Sequence, residues 1–579
     1  MFRALSLLRQ CGFSEIACQF ADFIERKTQG EPLTTSLTAG LLTEAVSQGH
    51  VCLNLHQVPA VTKGVSDYLP EQVATWTEIL KTSRVVGEPG EYRPLILTDA
   101  GQVYLYRFWL DERDVASLIR LRLKPVENVD FTQLNQDLIN WKSHTVGTDW
   151  QKVAVAMAVS RQFGVISGGP GTGKTSIVLK ILQCLEQQSN SLQIGLAAPT
   201  GKAAARLQQA IRQPGYEVKT LHRLLGITEQ NHFGRYNHKR TLPLDVLIID
   251  EASMIDISLM AKLMRAMSEQ TRLILLGDSQ QLASVESGAV LANLSEGQQG
   301  VFSDTFIEQF SCLGLEKASS NTPELLIDSF VRLKHSYRFS DESAIGKLSQ
   351  LINQGDSGSV INILTLPDSD ISWRQTTSDD IHEVVTAGYQ AYIETVENQA
   401  SHEKILHAFE RYRVLSALRQ GPQSVASINQ MMSRYLGRRG WRAADSYYVG
   451  RPILITQNQY RQQLFNGDIG IVLPDETGQL KACFKVAETF QWVSLNRLPA
   501  HETVFAMTIH KSQGSEFDEV SVLLPDEFSP VLNRELLYTA LTRAREKVAF
   551  LSSELTLRQT IETRHHRESG LSEQLGING

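Results

Sequence analysis

Residues 168–175 read Gly-Gly-Pro-Gly-Thr-Gly-Lys-Thr and fit the spacing G-x-x-x-x-G-K-T. An apolar run at residues 163–166 precedes them, and an apolar helical pattern follows at residues 177–185. In this strand–loop–helix context, the backbone N–H groups of a glycine-rich loop can enclose phosphate oxygens at the N-terminus of a helix. The stretch therefore predicts a phosphate-binding loop, and its flanks disfavour the alternative of a simple glycine-rich turn.

All eight residues of this loop are candidates for contact with a nucleotide, namely Gly168, Gly169, Pro170, Gly171, Thr172, Gly173, Lys174 and Thr175. The Lys174 ammonium is expected to reach the β- and γ-phosphates. The Thr175 hydroxyl is expected to ligate Mg²⁺. The predicted cofactors are therefore ATP and Mg²⁺.

Polar residues follow two further apolar runs of the chain. Residues 247–249 are followed by Asp250, a predicted Mg²⁺ ligand acting through water, and by Glu251, a predicted base for the attacking water. Residues 272–276 are followed by Gln281, whose neutral amide can sense a γ-phosphate. A plain polar turn is the alternative for Gln281.

Composition limits the other classes of function. The chain has 579 residues, 42% hydrophobic and 21% charged, which is a globular profile with room for several domains. Its net charge of −7 means that a nucleic-acid partner requires a local basic groove. Six cysteines without a C-x-x-C spacing favour reduced thiols in the cytoplasm over a zinc site or disulfides. No apolar run approaches the ~18 residues of a membrane span, so no membrane partner is expected.

Short apolar runs alternate with helical patterns from about residue 146, which predicts an α/β fold with parallel sheets. The predicted domains are a mainly helical accessory or docking domain (1–110), a helical connector (111–145), and two motor-like domains (146–345 and 346–579).

Three segments interrupt this alternation. Residues 448–500 are rich in strand and turn signals and predict a small β-barrel-like insert. Residues 227–243 are basic and predict either a solvated loop or a small projection that touches nucleic acid. Residues 295–325, with Gly297, Gly300, Ser319, Ser320 and Asn321, predict a surface insertion or mobile loop.

Four more segments complete an ordered set of motifs. They are 198–204 (Ala-Pro-Thr-Gly-Lys-Ala-Ala), 336–339 (Ser-Tyr-Arg-Phe), 508–514 (Thr-Ile-His-Lys-Ser-Gln-Gly) and 538–545 (Tyr-Thr-Ala-Leu-Thr-Arg-Ala-Arg). Their order and spacing resemble those of superfamily 1 helicases. The resemblance implies two RecA-like P-loop domains with ATP in the cleft between them and an SH3-like insert in the second.

Five segments narrow the resemblance to the RecD family of helicase subunits, found in the bacterial RecBCD enzyme (exonuclease V). They are 220–226 (Thr-Leu-His-Arg-Leu-Leu-Gly), 250–256 (Asp-Glu-Ala-Ser-Met-Ile-Asp), 282–290 (Leu-Ala-Ser-Val-Glu-Ser-Gly-Ala-Val), 464–470 (Leu-Phe-Asn-Gly-Asp-Ile-Gly) and 567–571 (Arg-Glu-Ser-Gly-Leu).

The resemblance also implies roles for further residues. Arg338 and Arg543 correspond to arginine fingers, Gln151 to an adenine-reading glutamine, and Tyr337 to a nucleotide contact. Six residues lie in motifs that contact the DNA strand or relay to the ATP cleft: Thr200, Lys202, His222, Thr508, His510 and Gln513.

The implied function is ATP-dependent 5′→3′ translocation on single-stranded DNA and DNA unwinding, in double-strand-break repair and homologous recombination. The implied partners are RecB-like and RecC-like subunits of a heterotrimer, with docking to the RecC-like chain through residues 1–110. The implied location is the bacterial cytoplasm, on the nucleoid during action on DNA. No nuclease site is expected in this chain. The alternatives are a stand-alone superfamily 1 helicase, an RNA helicase, and a regulatory subunit with an idle motor.

Overall fold

The computed structural model describes residues 4–28, 32–57, 64–142, 147–189, 191–211, 215–228, 230–316, 326–339, 343–366, 370–375, 378–441, 447–486 and 489–576. No helix within these ranges is long and apolar enough to span a bilayer.

The N-terminal part combines helices with a small sheet. Its elements are α1 (Ala4–Gln10), α2 (Glu15–Lys27), α3 (Leu33–Ser47), β1 (Cys52–Asn54), α4 (Val73–Lys81), β2 (Val86–Gly87), β3 (Leu95–Leu97), β4 (Gln102–Leu105), α5 (Tyr106–Arg120) and α6 (Phe131–Asn140). The strand order of the sheet is β1-β4-β3-β2. Each of these strands has only two to four residues, too few to show an alternating pattern, and the sequence did not predict the sheet.

A six-stranded parallel sheet follows. Its elements are α7 (Trp150–Ser160), β5 (Phe163–Gly168), α8 (Lys174–Gln188), β6 (Ile194–Ala198), α9 (Gly201–Ala210), β7 (Val218–Thr220), α10 (Leu221–Leu225), β8 (Val246–Ile249), α11 (Ile257–Ala266), β9 (Arg272–Gly277), α12 (Val290–Ser295), α13 (Asp304–Gln309) and β10 (Phe330–Leu333). The order is β10-β5-β9-β8-β6-β7. The predicted α/β fold is confirmed, and the glycine-rich loop leaves the carboxyl end of β5, between β9 and β10.

The structure corrects the prediction of a surface loop at residues 295–325. Residues 304–309 form α13, and the fully buried rings of Phe306 and Phe310 pack in the core of the first sheet. These aromatic residues carry enough apolar area to hold a short helix against the core, which the surrounding glycines and serines concealed. Ser319, Ser320 and Asn321 lie outside the described residues.

A second parallel sheet and its insert form the rest of the chain. The elements are α14 (Ala344–Gln354), α15 (Ser357–Thr365), β11 (Ile371–Arg374), α16 (Ser378–Gly388), α17 (Gln390–Glu397), α18 (His402–Arg411), β12 (Tyr412–Ser416), α19 (Val425–Arg438), β13 (Pro452–Ile455), β14 (Ile469–Pro474), β15 (Leu480–Val486), β16 (Thr489–Ser494), β17 (His501–Thr503), β18 (Ala506–Thr508), β19 (Phe517–Leu523), α20 (Arg534–Leu541), β20 (Ala544–Leu551), α21 (Glu554–Glu562) and α22 (Leu571–Leu575). The parallel sheet has the order β11-β20-β19-β12-β18. The predicted β-rich insert is an antiparallel sheet of order β16-β15-β14-β13-β17.

The C-terminal segment returns to the N-terminal part of the chain. Helix α22 packs against α5 and α12. The N–H of Val51 donates to the carbonyl of Glu568 at 2.8 Å, and the N–H of Gly570 donates to the buried Glu112 carboxylate at 3.1 Å. The end of the chain therefore ties the N-terminal part to the first parallel sheet.

Candidate active site

The glycine-rich loop surrounds the ammonium group of Lys174. Its Nζ donates to the carbonyls of Gly168 at 2.6 Å and Gly169 at 3.1 Å, and the Thr172 hydroxyl donates to Gly169 O at 2.8 Å. Lys174 is also the first residue of α8, so its charge lies at the positive end of that helix. A fixed cation at a helix N-terminus suits the phosphates of a nucleotide.

Two carboxylates follow β8, as predicted from the sequence. Glu251 has a left-handed backbone with φ 54°, and its N–H donates to Asp250 Oδ1 at 2.9 Å. Burial, and then the charge of Glu251, raise the pKa of Asp250 to about 6, against the opposing charge of Lys174. A left-handed conformation at a non-glycine residue is a strained one that active sites often retain.

The donor set fits Mg²⁺ bound together with nucleotide phosphates. Asp250 and Thr175 offer hard oxygen atoms, which Mg²⁺ prefers, and Mg²⁺ commonly takes only one or two protein ligands beside phosphates and water. Within the described ranges, no cluster of three or more His, Cys, Asp or Glu side chains could hold a metal alone. These residues therefore suit a metal that arrives with the nucleotide.

The loop after β9 is held by side chains of α20, the helix between β19 and β20 of the second sheet. Gln281 Nε2 and the Tyr538 hydroxyl both donate to Asp278 Oδ2 at 3.0 Å. The N–H of Leu282 donates to Thr539 Oγ1 at 2.9 Å. These contacts make the position of the Gln281 amide depend on both halves of the cleft.

Gln513 joins the same contact. Its Nε2 donates to the Leu282 carbonyl at 2.9 Å, and the side chain is buried. Of the two roles implied by its motif, DNA contact and relay to the ATP cleft, this geometry favours the relay.

The two candidate arginine fingers differ in their surroundings. The segment of Arg338 packs on the nucleotide loop, where Tyr337 N donates to Gly171 O at 2.8 Å. The Arg338 guanidinium contacts Glu516 at 2.8 Å. Arg543 is fully enclosed, and its guanidinium donates to backbone carbonyls, including that of Ser515 at 3.2 Å. Arg338 is therefore the candidate arginine finger whose segment is attached to the nucleotide loop. Arg543 instead holds together the backbone at Ser515 and Thr539 in the second half of the cleft.

The candidate base-binding residues lie on the outer side of the loop. Gln151 Nε2 donates to the Thr172 carbonyl at 2.8 Å. Trp150 lies under the ammonium of Lys334, with 4.5 Å from Nζ to the ring centroid. The Tyr337 ring is half exposed and makes an edge contact with His335. An exposed aromatic ring beside an amide suits a purine base.

The candidate DNA-binding residues fall into two groups. Thr200 caps the N-terminus of α9, where its hydroxyl accepts from Ala203 N at 3.3 Å, and Lys202 faces the insert near Asp468. Burial lowers the pKa of Lys202 to about 8. These two residues therefore lie between the first sheet and the insert.

The remaining candidates are more scattered. Thr508 ends β18 and accepts from Lys511 N at 3.3 Å. His510 follows it and is half-buried, with a pKa lowered by burial and then by Arg567. His222 is exposed in the last turn of α10, after the edge strand β7. The described contacts do not bring His222 to the others.

Sequence reasoning missed two residues of this site. Glu516 contacts Arg338, and Tyr538 contacts Asp278. Glu516 comes two residues after the quoted segment 508–514, and Tyr538 opens the segment 538–545, so the motifs drew attention to their neighbourhood. Arg338 and Asp278, the partners of Glu516 and Tyr538, lie far away in the sequence. A local sequence pattern cannot reveal such distant contacts.

Three models of known protein families match parts of the chain. An AAA domain model matches residues 151–287, and a UvrD-like helicase C-terminal domain model matches residues 503–551. The model of the N-terminal domain of RecBCD enzyme subunit RecD matches residues 10–104.

Relatives with known names match most of this chain. RecBCD enzyme subunit RecD of Haemophilus influenzae is 36% identical over 82% of this chain and 80% of its own length. The RecD subunit of Mycolicibacterium smegmatis is 36% identical over 94% of both chains. The RecD2 DNA helicase of Deinococcus radiodurans is 28% identical over 78% of this chain and 55% of its own length. The resemblance read from the motifs is thereby confirmed, and the chain belongs to the RecD family.

Proposed function

We propose that this chain is an ATP-dependent DNA helicase that moves 5′→3′ along single-stranded DNA as the RecD-type subunit of a RecBCD-type enzyme. Its action would serve double-strand-break repair and homologous recombination in the bacterial cytoplasm. The observation that carries the proposal is a nucleotide site built from two sheets. The loop after β9 of the first sheet contacts Tyr538 and Thr539 on α20 and Gln513 after β18, which belong to the part of the chain that forms the second sheet.

The residues of the site divide the chemistry among them. Bound Mg²⁺·ATP supplies the phosphoryl group and a charge that neutralises its oxygens. Lys174 and Thr175 orient the phosphates, Asp250 holds the metal, and Glu251 takes a proton from the attacking water. The positions of these side chains at the carboxyl ends of β5 and β8 support the proposed roles.

Two arginines contribute positive charge, Arg338 after β10 of the first sheet and Arg543 after α20 in the part of the chain that forms the second sheet. Arg338 and Arg543 are suited to stabilise charge that develops on the transferred phosphoryl group. Gln281 can sense whether a γ-phosphate is present. Since these groups are held by contacts between the two sheets, hydrolysis would alter the closure of the cleft and move the DNA.

Substitution of Lys174 tests the motor. We expect Lys174→Gln to abolish DNA-stimulated ATP hydrolysis, because the fixed cation in the loop is lost. Lys180→Gln on the exposed side of the same helix is the matched control and should retain hydrolysis. Robust turnover by Lys174→Gln would refute the proposal, and an ATPase that ignores single-stranded DNA would favour the idle-motor alternative.

Polarity and strand type need a second measurement, made with the chain alone and with its partners. The proposal predicts unwinding of a DNA duplex with a 5′ tail and no unwinding of one with a 3′ tail by the chain alone. Equal unwinding of matched RNA duplexes would favour the RNA-helicase alternative.

The proposed partners are RecB-like and RecC-like subunits, with docking to the RecC-like chain through residues 1–110. Helix α2 leaves Ile16 66% and Phe23 46% exposed, and their spacing of seven residues places both on one face of the helix. The double variant Ile16→Glu, Phe23→Glu should lose co-purification with the RecC-like subunit while it retains ATP hydrolysis. Leu555→Glu, at a side chain 66% exposed on α21, is the control. Unchanged assembly of the double variant would place the docking surface elsewhere.

A further inference from the structure

Glu516 is a buried carboxylate that three arginines share. Its Oε1 lies 2.8 Å from Arg338 Nη2 and also contacts Arg206, while its Oε2 lies 3.3 Å from Arg545. The Glu516 side chain is 8% exposed. Burial opposes its ionisation, but Arg206 and Arg338 lower the pKa of Glu516 to about 2. It is therefore a permanent anion at the junction of the two sheets.

Arg338 is held by this anion on one side only. Its Nη2 contacts Glu516, whereas its Nη1 is buried and has no hydrogen-bond partner among the residues that the structure describes. Buried donors in proteins are nearly always satisfied, so this nitrogen can donate to a further partner such as a phosphate oxygen or an ordered water. The planar guanidinium fork can hold a carboxylate with one nitrogen and offer another nitrogen to a phosphate.

The backbone of the same segment is attached to the nucleotide loop. Tyr337 N donates to Gly171 O at 2.8 Å, and Ser336 Oγ donates to Pro170 O at 3.1 Å. With the backbone fixed by the loop and one nitrogen fixed by Glu516, few rotamers remain for Arg338. Such fixation keeps a transition-state contact in place before the reaction.

Arg206 brings a different element to Glu516. It belongs to α9, whose N-terminus is capped by Thr200 and carries Lys202 in its first turn. A helix moves nearly as a rigid rod, and four residues span about 6 Å along its axis. A strand bound at the start of α9 therefore acts, through one turn of helix, on the carboxylate that holds Arg338.

We propose that Glu516 is the positioning residue for Arg338, and that the chain Arg206–Glu516–Arg338 transmits strand binding at α9 to ATP hydrolysis. This rests on the proposed function, since it assigns a path for DNA stimulation of the ATPase. Glu516 touches neither nucleotide nor DNA in this role.

The test compares Glu516→Gln and Arg206→Gln in the full chain. Steady-state kcat and KM for ATP are measured with and without oligothymidylate. Glu516→Gln should lower the DNA-stimulated kcat at least tenfold and change KM less than threefold, because positioning is lost and nucleotide binding is not. Arg206→Gln should lower the ratio of stimulated to basal kcat at least fivefold. Glu519→Gln, in β19 with an ion pair to Lys547, is the matched control.

The double variant Glu516→Gln, Arg206→Gln makes the test independent of a general loss of stability. Residues in one chain of contacts are non-additive, so the double variant should be no slower than Glu516→Gln alone. Multiplied effects, or a Glu516→Gln enzyme with kcat and stimulation within twofold of wild type, would overturn the inference. If wild type is stimulated by DNA and Lys174→Gln is inactive, that outcome leaves the proposed function intact. Absence of stimulation in wild type would instead refute the proposed function.

Discussion

Replacing Gly171 with alanine tests whether the contact between the nucleotide loop and the Arg338 segment is needed for hydrolysis. A Cβ at Gly171 would lie 2.3 Å from Arg338 Cβ and 2.8 Å from Ser336 Oγ. Carbon atoms pack at roughly 3.5–4 Å, so the segment must retreat by about 1 Å. A displacement of about 1 Å at a reacting group can lower the rate roughly 100-fold, which is about 2.7 kcal/mol. We therefore expect Gly171→Ala to lower kcat about 100-fold.

The backbone cost must be separated from the collision. Gly171 has φ 78°, which disfavours an L-residue by roughly 1–2 kcal/mol whatever the space. Gly12 has φ 77°, and a Cβ there would meet no atom of the described residues within 4 Å. Gly12→Ala therefore has the same backbone cost without the collision and should leave kcat unchanged.

The assay is steady-state ATP hydrolysis with saturating oligothymidylate, together with thermal unfolding of both variants. A Gly171→Ala enzyme within threefold of wild type would show that the segment tolerates displacement. An equal loss of kcat in Gly12→Ala would attribute the effect to stability and refute the reasoning.

Two further predictions concern buried hydroxyl and carboxyl groups. Tyr538→Phe removes a hydrogen bond to the Asp278 carboxylate, and hydrogen bonds to charged groups contribute roughly 1.5–3 kcal/mol. This variant should therefore lower kcat about tenfold in the same assay. Tyr412→Phe is the control, since it removes a buried hydroxyl contact to Ser521 in the core and should leave kcat unchanged. Burial raises the pKa of Glu112 from an ordinary 4.5 to about 7, so the folded protein binds a proton that the unfolded chain has already released. The contact between Glu112 and residues 569–570 of the C-terminal segment should thus weaken by about 3 kcal/mol as the pH rises from 4.5 to 7. Hydrogen exchange at residues 568–572, corrected for its intrinsic rate, should show this change in wild type and not in Glu112→Gln.

The parts of the fold that the sequence predicted correctly are those with a local signal. The apolar run of β5 and the following glycine-rich loop predict their own structure, since the run is long enough for a buried strand and the loop starts a helix. The same holds for β8 and β9, which end directly before Asp250 and directly before Asp278. Their placement at one edge of the sheet follows from the rule for parallel sheets.

The contacts that the sequence did not predict are distant ones. Glu516 joins Arg206 to Arg338, 310 and 178 residues away, and single charges on the surface of a helix or loop usually face solvent. The N-terminal sheet was missed for another reason, because its strands are too short for an alternating pattern. The Glu516 contacts and the N-terminal sheet both depend on how separate elements pack. The secondary-structure propensity of a local stretch of sequence gives no information about that packing.

The loop after β9 shows how the two halves of the molecule can act on one amide. On one side, Tyr538 of α20 and Gln513 after β18 hold it through Asp278 and Leu282. On the other, Arg567 donates to the carbonyls of Ser284 at 2.6 Å, Glu286 at 2.8 Å and Gly288 at 2.9 Å.

Arg567 belongs to the C-terminal segment, which is itself tied to the N-terminal part through Glu568 and Val51. A shift of the second sheet would therefore pull on Gln281 from one side while the C-terminal segment holds the following residues still. The two anchors meet between Leu282 and Ser284, directly after Gln281. The proposed γ-phosphate sensor, Gln281, directly before this boundary, would thus convert the presence of phosphate into a change in cleft closure through the hydrogen bonds of Asp278 and Leu282.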